Sequence, residues 1–192
     1  MTRVICTFFF TLLISKGAFA SLVPAEAFTW DTNIKMKNFT EEQQAKVHKA
    51  VDLIKKIIVS EKFREKVINY THQGKREFIA NQGFSNEEIY QQILDGAEII
   101  GNKDKNNMMD VELELYFQAT KTIGYTYPNT TKIWMNTKYF DKYTPEKVAD
   151  NLMHEWMHKI GFTHDVKWNE DRDHSVPYAI GYIVEELAAD FL

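Results

Sequence analysis

The first half of the chain shows apolar residues at helical spacing. Thr40 is a suitable N-cap, and Gln43 stands at the third helical position, which is the pattern of a capping box. The apolar positions that follow are Val47, Ala50, Val51, Ile54, Ile57 and Ile58. A second helix is predicted over 61–70, and a third begins near Ser85, where Glu88 completes a similar box. After a short extended opening, the N-terminal half is therefore predicted to be mainly helical.

Beyond the third predicted helix, the pattern changes to strict alternation. Val111, Leu113 and Leu115 alternate with charged or polar residues, which is typical of a strand with one buried face. Two more strands are predicted over 122–127 and 132–136. The sequence therefore predicts an α+β fold with a helical N-terminal half, a small mixed sheet and a helix that carries the chemistry described below.

The N-terminus differs in composition from the rest of the chain. A basic Arg3 precedes an apolar run over 4–14 and a small-residue Ala-Phe-Ala site at residues 18–20. This pattern predicts a secretory signal peptide over residues 1–20, because the apolar run is shorter than the roughly 20 residues that span a bilayer. We therefore expect a secreted or periplasmic protein with no stable membrane association after cleavage.

The composition is that of a folded protein, with 192 residues, 44% apolar content and a net charge of −4. No basic patch points to a nucleic-acid partner. The only cysteine, Cys6, lies in the predicted leader, so disulfides cannot stabilise the remaining chain. We expect a monomer with one domain over 21–192. The polar run 101–107 leaves open a helical N-terminal subdomain over 21–105.

The strongest chemical signal is an H-E-x-x-H pattern over residues 154–158. It lies in a predicted helix that begins with Thr144 as cap and Pro145 at the first position. Histidines four residues apart project from one face of a helix, so both imidazoles can bind one metal ion. Zinc suits such ligands, and Glu155 is placed to take a proton from a zinc-activated water.

The pattern continues to a glycine and a third histidine, giving H-E-x-x-H-x-x-G-x-x-H. Gly161 can adopt the left-handed conformation that ends a helix and turns the chain, which directs His164 back toward His154 and His158. Three protein ligands leave one position of the ion open, as in catalytic zinc sites. Glu155 is then the predicted general base for attack on a peptide carbonyl.

This extended motif resembles that of the metzincin superfamily of zinc endopeptidases. The resemblance covers roughly residues 130–180 and implies that Zn²⁺ is bound by three histidines, His154, His158 and His164. It also implies that Glu155 is the catalytic base and that the substrate is a peptide or protein. A strand beside the cleft is expected to pair with extended substrate, and the predicted strand 132–136 is assigned this role.

The segment after the third histidine departs from the family pattern. Metzincins carry a methionine-containing turn beneath the metal, whereas this chain has Pro177 where the methionine is expected. Tyr178 stands one place earlier than the tyrosine of some members. It is interpreted either as a donor to the tetrahedral oxyanion or as a packing residue. The chain is therefore metzincin-like without an assigned subfamily.

Other interpretations of the motif stay open. Glu186 and Asp190 resemble the Glu-x-x-x-Asp helix of gluzincins, in which the glutamate is the third zinc ligand. We favour His164 because the turn at Gly161 accounts for its position. A zinc amidase acting on cell-wall peptides is a further enzymatic class. The non-enzymatic alternative is an exported protein that binds zinc and peptides without cleaving them, although such a protein does not need Glu155.

The remaining histidines carry weaker signals. His174 is expected to be a loop residue, with a contact to substrate or transition state as the alternative. Asp165 is expected either to orient a ligand histidine or to face solvent. His48 and His72 have no partner pattern, and we predict that both are surface residues.

Overall fold

The computed structural model describes residues 29–100 and 105–192, which form a mixed α+β fold. The predicted fold class is confirmed at this level. In chain order the elements are β1 (Asp31–Lys37), α1 (Glu41–Ile58), α2 (Glu61–Ile68), α3 (Asn86–Asp95), β2 (Met108–Tyr116), β3 (Gly124–Thr126), β4 (Lys132–Asn136), α4 (Thr137–Phe140), α5 (Pro145–Ile160) and α6 (Val176–Ala188).

The predicted helix starts are confirmed by their capping interactions. Thr40 and Ser85 each accept a hydrogen bond from the third helical backbone N–H, and the side chains at those third positions bond back to the caps. Gly96 ends α3 in the left-handed conformation, with a φ of 60°. These helix ends are encoded locally, since each depends on residues within one turn of the cap.

The four strands form one sheet in the order β1-β2-β4-β3. The pairs β1–β2 and β2–β4 are parallel, whereas β3 runs antiparallel to β4. The expectation that strand 132–136 pairs with substrate is wrong, because β4 pairs with β2 on one side and β3 on the other and has no free edge. The short turn after β3 folds that strand back onto β4, so β3 lies at the edge instead.

One apolar core joins the sheet to the helices. The alternation predicted for β2 is confirmed, since Met109, Val111, Leu113 and Leu115 are all buried. These side chains belong to the same core as apolar residues of β4, α1, α5 and α6. The other face of the sheet carries ion pairs, including those of Glu114 with the lysines of β1 and β4. The helices therefore cover one side of the sheet, and α5 lies within the core.

Some predictions concern residues outside the described part of the chain. The signal peptide over residues 1–20 lies there in full, as does Cys6, and residues 101–104 of the polar run 101–107 lie there too. None of the helices in the described part combines the length and apolarity that a bilayer crossing requires.

Candidate metal centre

Helix α5 carries the H-E-x-x-H pattern, and both of its ends are fixed by local chemistry. The Thr144 side chain accepts a hydrogen bond from the Lys147 N–H, and Pro145 occupies the first turn. Gly161 ends the helix with a φ of 113°, a conformation that side-chain-bearing residues rarely adopt. The predicted helix and its glycine end are both confirmed, and the chain turns sharply where the third histidine is needed.

The turn brings His154, His158 and His164 together. One ring nitrogen of each histidine lies within 4.8 Å of the others. The Nε2 atoms of His154 and His164 are 3.2 Å apart. Zn–N bonds of about 2.0–2.1 Å in a tetrahedral site place ligand nitrogens roughly 3.3 Å from each other. The three histidines are therefore close enough to hold one metal ion.

Backbone carbonyls fix the orientation of two of the three rings. His158 Nδ1 lies 2.8 Å from the Phe162 carbonyl oxygen, and His164 Nδ1 lies 2.9 Å from that of Asp165. When Nδ1 carries the proton and donates it to a carbonyl, Nε2 keeps a lone pair for a metal. The carbonyl that orients His164 belongs to Asp165, so this residue acts through its backbone and not through the carboxylate considered from sequence.

The surroundings of the three imidazoles favour their neutral form. Burial lowers the pKa of His154 well below its usual value, and the neighbouring histidines lower it further. Burial also lowers the pKa of His158 to about 4, and it lowers the pKa of His164. Since only a neutral imidazole can bind a metal, the metal-free chain presents binding-competent ligands at neutral pH.

Glu155 lies beside the histidines and is only 4% exposed. Burial raises the pKa of its carboxyl group to about 8, and the charge of Lys159 opposes this shift. Among the described residues, no group donates a hydrogen bond to its carboxylate. A Cβ atom added at Gly124 of β3 would lie 3.1 Å from Glu155 Oε1. The edge strand therefore passes directly over this carboxylate, and the glycine gives it room.

Lys159 holds the turn between β3 and β4 against α5. Its buried ammonium group donates to the carbonyl oxygens of Tyr127 and Thr130. Burial lowers the pKa of Lys159 to about 8. No sequence pattern predicts this contact, because the partners of Lys159 lie about thirty positions away. The contact positions the edge strand relative to Glu155.

The chain after His164 returns to the candidate metal centre at the first turn of α6. Ser175 precedes this helix and Pro177 lies in its first turn, so the segment does not form the methionine-type turn of the metzincins. The Tyr178 ring centre lies 4.3 Å from that of His154 and 4.8 Å from that of His164. Tyr178 therefore packs directly against two of the three histidines.

The acidic residues of the alternative ligand set lie elsewhere. Glu186 forms an ion pair with Lys66 at 2.9 Å, and its side chain is largely exposed. Asp190 forms a similar ion pair with Lys62. Within the described chain, the group of side chains close enough to share a metal comprises the three histidines and neither of these acids.

The two histidines predicted to be surface residues, His48 and His72, differ in their exposure. The prediction that His72 is a surface residue is wrong, because its side chain is only 11% exposed and its Nε2 lies 3.0 Å from Asp171 Oδ1. The His72 ring lies 4.0 Å from that of His174, whose Nδ1 is 2.7 Å from the Tyr70 hydroxyl. His48 is exposed, as expected. We call His72 and His174 the second histidine cluster.

Comparisons of the chain with protein-family models, curated proteins and solved structures find no match.

Proposed function

We propose that this protein is a zinc-dependent hydrolase that cleaves peptide bonds, with His154, His158 and His164 as zinc ligands and Glu155 as general base. The observation that carries the proposal is the convergence of three neutral imidazoles beside a buried carboxylate. Three protein ligands match the composition of catalytic zinc sites, which keep a further position for water or substrate. The metzincin-like motif and export through the leader over residues 1–20 belong to the same proposal.

Glu155 performs the proton transfers in this mechanism. The three histidines would hold the zinc ion, which would supply an activated water and polarise the substrate carbonyl. The Glu155 carboxylate takes a proton as the carbonyl carbon is attacked, and then delivers it to the leaving nitrogen. Its raised pKa, about 8 in the metal-free chain, suits a group that must both accept and release a proton near neutral pH.

The free edge of β3 supports a peptide as the substrate. The Asn136 N–H donates to the Ile123 carbonyl at 2.8 Å, and bonded pairs alternate along an antiparallel ladder. The backbone groups of Gly124 and Thr126 therefore point away from β4. An extended peptide can add to this edge through main-chain hydrogen bonds, which places its carbonyl groups beside Glu155.

The test is cleavage of an unfolded protein by the purified chain, with and without a chelator. We expect cleavage that the chelator abolishes and added zinc restores. Glu155→Gln should keep zinc while turnover falls by about 10²–10⁴-fold, because the general base is lost. The matched control is Glu186→Gln, which changes an exposed carboxylate that pairs with Lys66 and should leave both zinc and cleavage unchanged.

Other outcomes select the alternatives. Bound zinc without chelator-sensitive cleavage would favour a protein that binds peptides without cutting them. Loss of zinc in Glu186→Gln, with zinc retained in a His164→Ala variant, would favour the gluzincin-type ligand set.

A further inference from the structure

A positive charge lies next to the candidate metal centre. The Arg172 guanidinium carbon is 4.7 Å from the centre of the Tyr178 ring, and its Nη2 donates to the Tyr178 hydroxyl. The same ring packs on His154 and His164. A single aromatic ring therefore separates the guanidinium charge from two of the three histidines.

This guanidinium has no carboxylate partner within the described residues. No Asp or Glu oxygen lies within ion-pair distance of Arg172 there, and its Nε is buried without a hydrogen-bond acceptor. The adjacent Asp171 binds His72 instead. Asp173 affects Tyr178 only as a nearby charge, adding to the burial that raises the pKa of that hydroxyl. A partly buried cation without an anion is costly, so an anion supplied from outside would stabilise it.

We propose that Arg172 binds a carboxylate of the peptide substrate beside the scissile bond, a specificity that rests on the proposed function. A guanidinium group presents parallel N–H donors that match the two oxygens of a carboxylate. One tyrosine ring separates it from the histidines, and an extended residue spans about 3.5 Å. The carboxylate therefore belongs to one of the first two residues next to the cleaved bond.

The carboxylate has two chemical sources, which are the free C-terminus of a peptide and an acidic side chain. A competing role is that Arg172 only positions the Tyr178 hydroxyl. The two roles differ in their effects, because loss of a positioning residue changes the affinity for all peptides equally. Loss of a carboxylate-binding residue changes the affinity only for those peptides that carry the anion.

The experiment measures peptide binding in zinc-loaded Glu155→Gln protein by calorimetry, so that no turnover is needed. One short peptide is compared as the free acid and as the C-terminal amide. A second series of amides carries Glu or Gln at single positions. We expect one anionic form to bind at least about tenfold more tightly than its neutral counterpart, since charge-assisted hydrogen bonds of this kind are the strong ones. The preferred series identifies the source of the carboxylate.

Arg172→Gln should remove that preference, and Arg172→Lys should retain part of it because the charge remains. Tyr178→Phe, which keeps the ring, should preserve the preference. Lys167→Gln is the matched control, since it removes an exposed charge from the same loop and should change nothing. Equal binding of acid and neutral peptides by the parent protein would overturn the proposal, as would an equal loss for all peptides in Arg172→Gln. A carboxylate preference without cleavage by the wild type would sustain this inference while the proposed hydrolysis fails.

Discussion

The molecule contains two histidine clusters with different chemistry. In the candidate metal centre, the ring centres of His154, His158 and His164 lie 5.0–5.2 Å apart. In the second histidine cluster, the rings of His72 and His174 are closer, at 4.0 Å. Only the first cluster forms a group of ligand atoms that could share a metal among the described residues.

The difference is in how many ring nitrogens converge, since three do so in the candidate metal centre. His158 and His164 direct Nδ1 to backbone carbonyls, which leaves Nε2 free toward the shared centre. In the second histidine cluster, one nitrogen of each ring contacts the Asp171 carboxylate or the Tyr70 hydroxyl, and the two rings belong to no group of three ligands among the described residues. Proximity of histidines alone is therefore not a metal site. Convergent nitrogens with their opposite sides hydrogen-bonded are the feature that distinguishes one.

Removing one histidine from each cluster should affect zinc affinity very differently. His158→Ala should weaken zinc binding by more than about 100-fold, since loss of an outer-shell partner alone costs about 10–100-fold. His174→Ala removes a histidine of the second histidine cluster and should leave zinc affinity unchanged. Equilibrium dialysis against a zinc buffer measures both. Equal losses of zinc affinity in the two variants would show that the two clusters do not differ in zinc binding.

A second effect appears in the stability of the metal-free protein at acid pH. The folded chain holds the pKa of His158 at about 4, against a usual value of 6.5. As pH falls from 6.5 to 4, the unfolded chain therefore binds a proton that folded His158 resists, and stability decreases. Well above pH 6.5 the His158 imidazole is neutral in both the folded and the unfolded chain, so it no longer makes stability depend on pH.

Glu155 has the opposite effect on stability. Its pKa in the folded chain is about 8, against a usual value of 4.5. As pH rises from 4.5 to 8, the unfolded chain therefore loses a proton that folded Glu155 keeps, and stability decreases. The measurement is therefore made in metal-free Glu155→Gln protein, by denaturant unfolding at several pH values. Adding His158→Gln should reduce the decrease between pH 6.5 and 4 and leave the part that His154 and His164 contribute, because burial lowers their pKa values too. An identical pH profile with and without His158 would contradict the burial of this ring.

A weaker effect concerns the strand over the Glu155 carboxylate. A Cβ at position 124 would approach Glu155 Oε1 and Asn151 Oδ1 to 3.1 Å, so these side chains must shift by a few tenths of an ångström. A misplacement of 1 Å can cost about 100-fold in rate, so Gly124→Ala should lower kcat by less than about tenfold and leave zinc affinity unchanged. Steady-state kinetics on a fluorogenic peptide measures this. A change in KM with kcat intact would assign β3 to substrate binding alone.

The features that could be predicted from sequence depend on short spacings. The capping boxes at Thr40 and Ser85, the alternation of β2 and the convergence of three histidines around the Gly161 turn each involve residues within a few turns or one strand. Local geometry determines such features, because neighbouring residues in a helix or strand have fixed relative directions.

The features that were missed depend on contacts between distant parts of the chain. The position of β3 at the sheet edge is set by the pairing of β4 with β2, which local patterns do not encode. The contacts of Lys159 with the β3–β4 turn and of His72 with His174 also join separate segments. The start of α6 at Val176 is not among the predicted helix starts, although a proline in the first turn of a helix is common.

The proposed metal centre requires three imidazoles of this chain to bind one zinc ion. X-ray absorption at the zinc edge, on protein whose zinc content has been measured, can count these ligands. We expect one zinc per chain with three imidazole nitrogens at about 2.0–2.1 Å. Failure to retain zinc, or a bound zinc with fewer than three imidazole ligands, would rule out this centre.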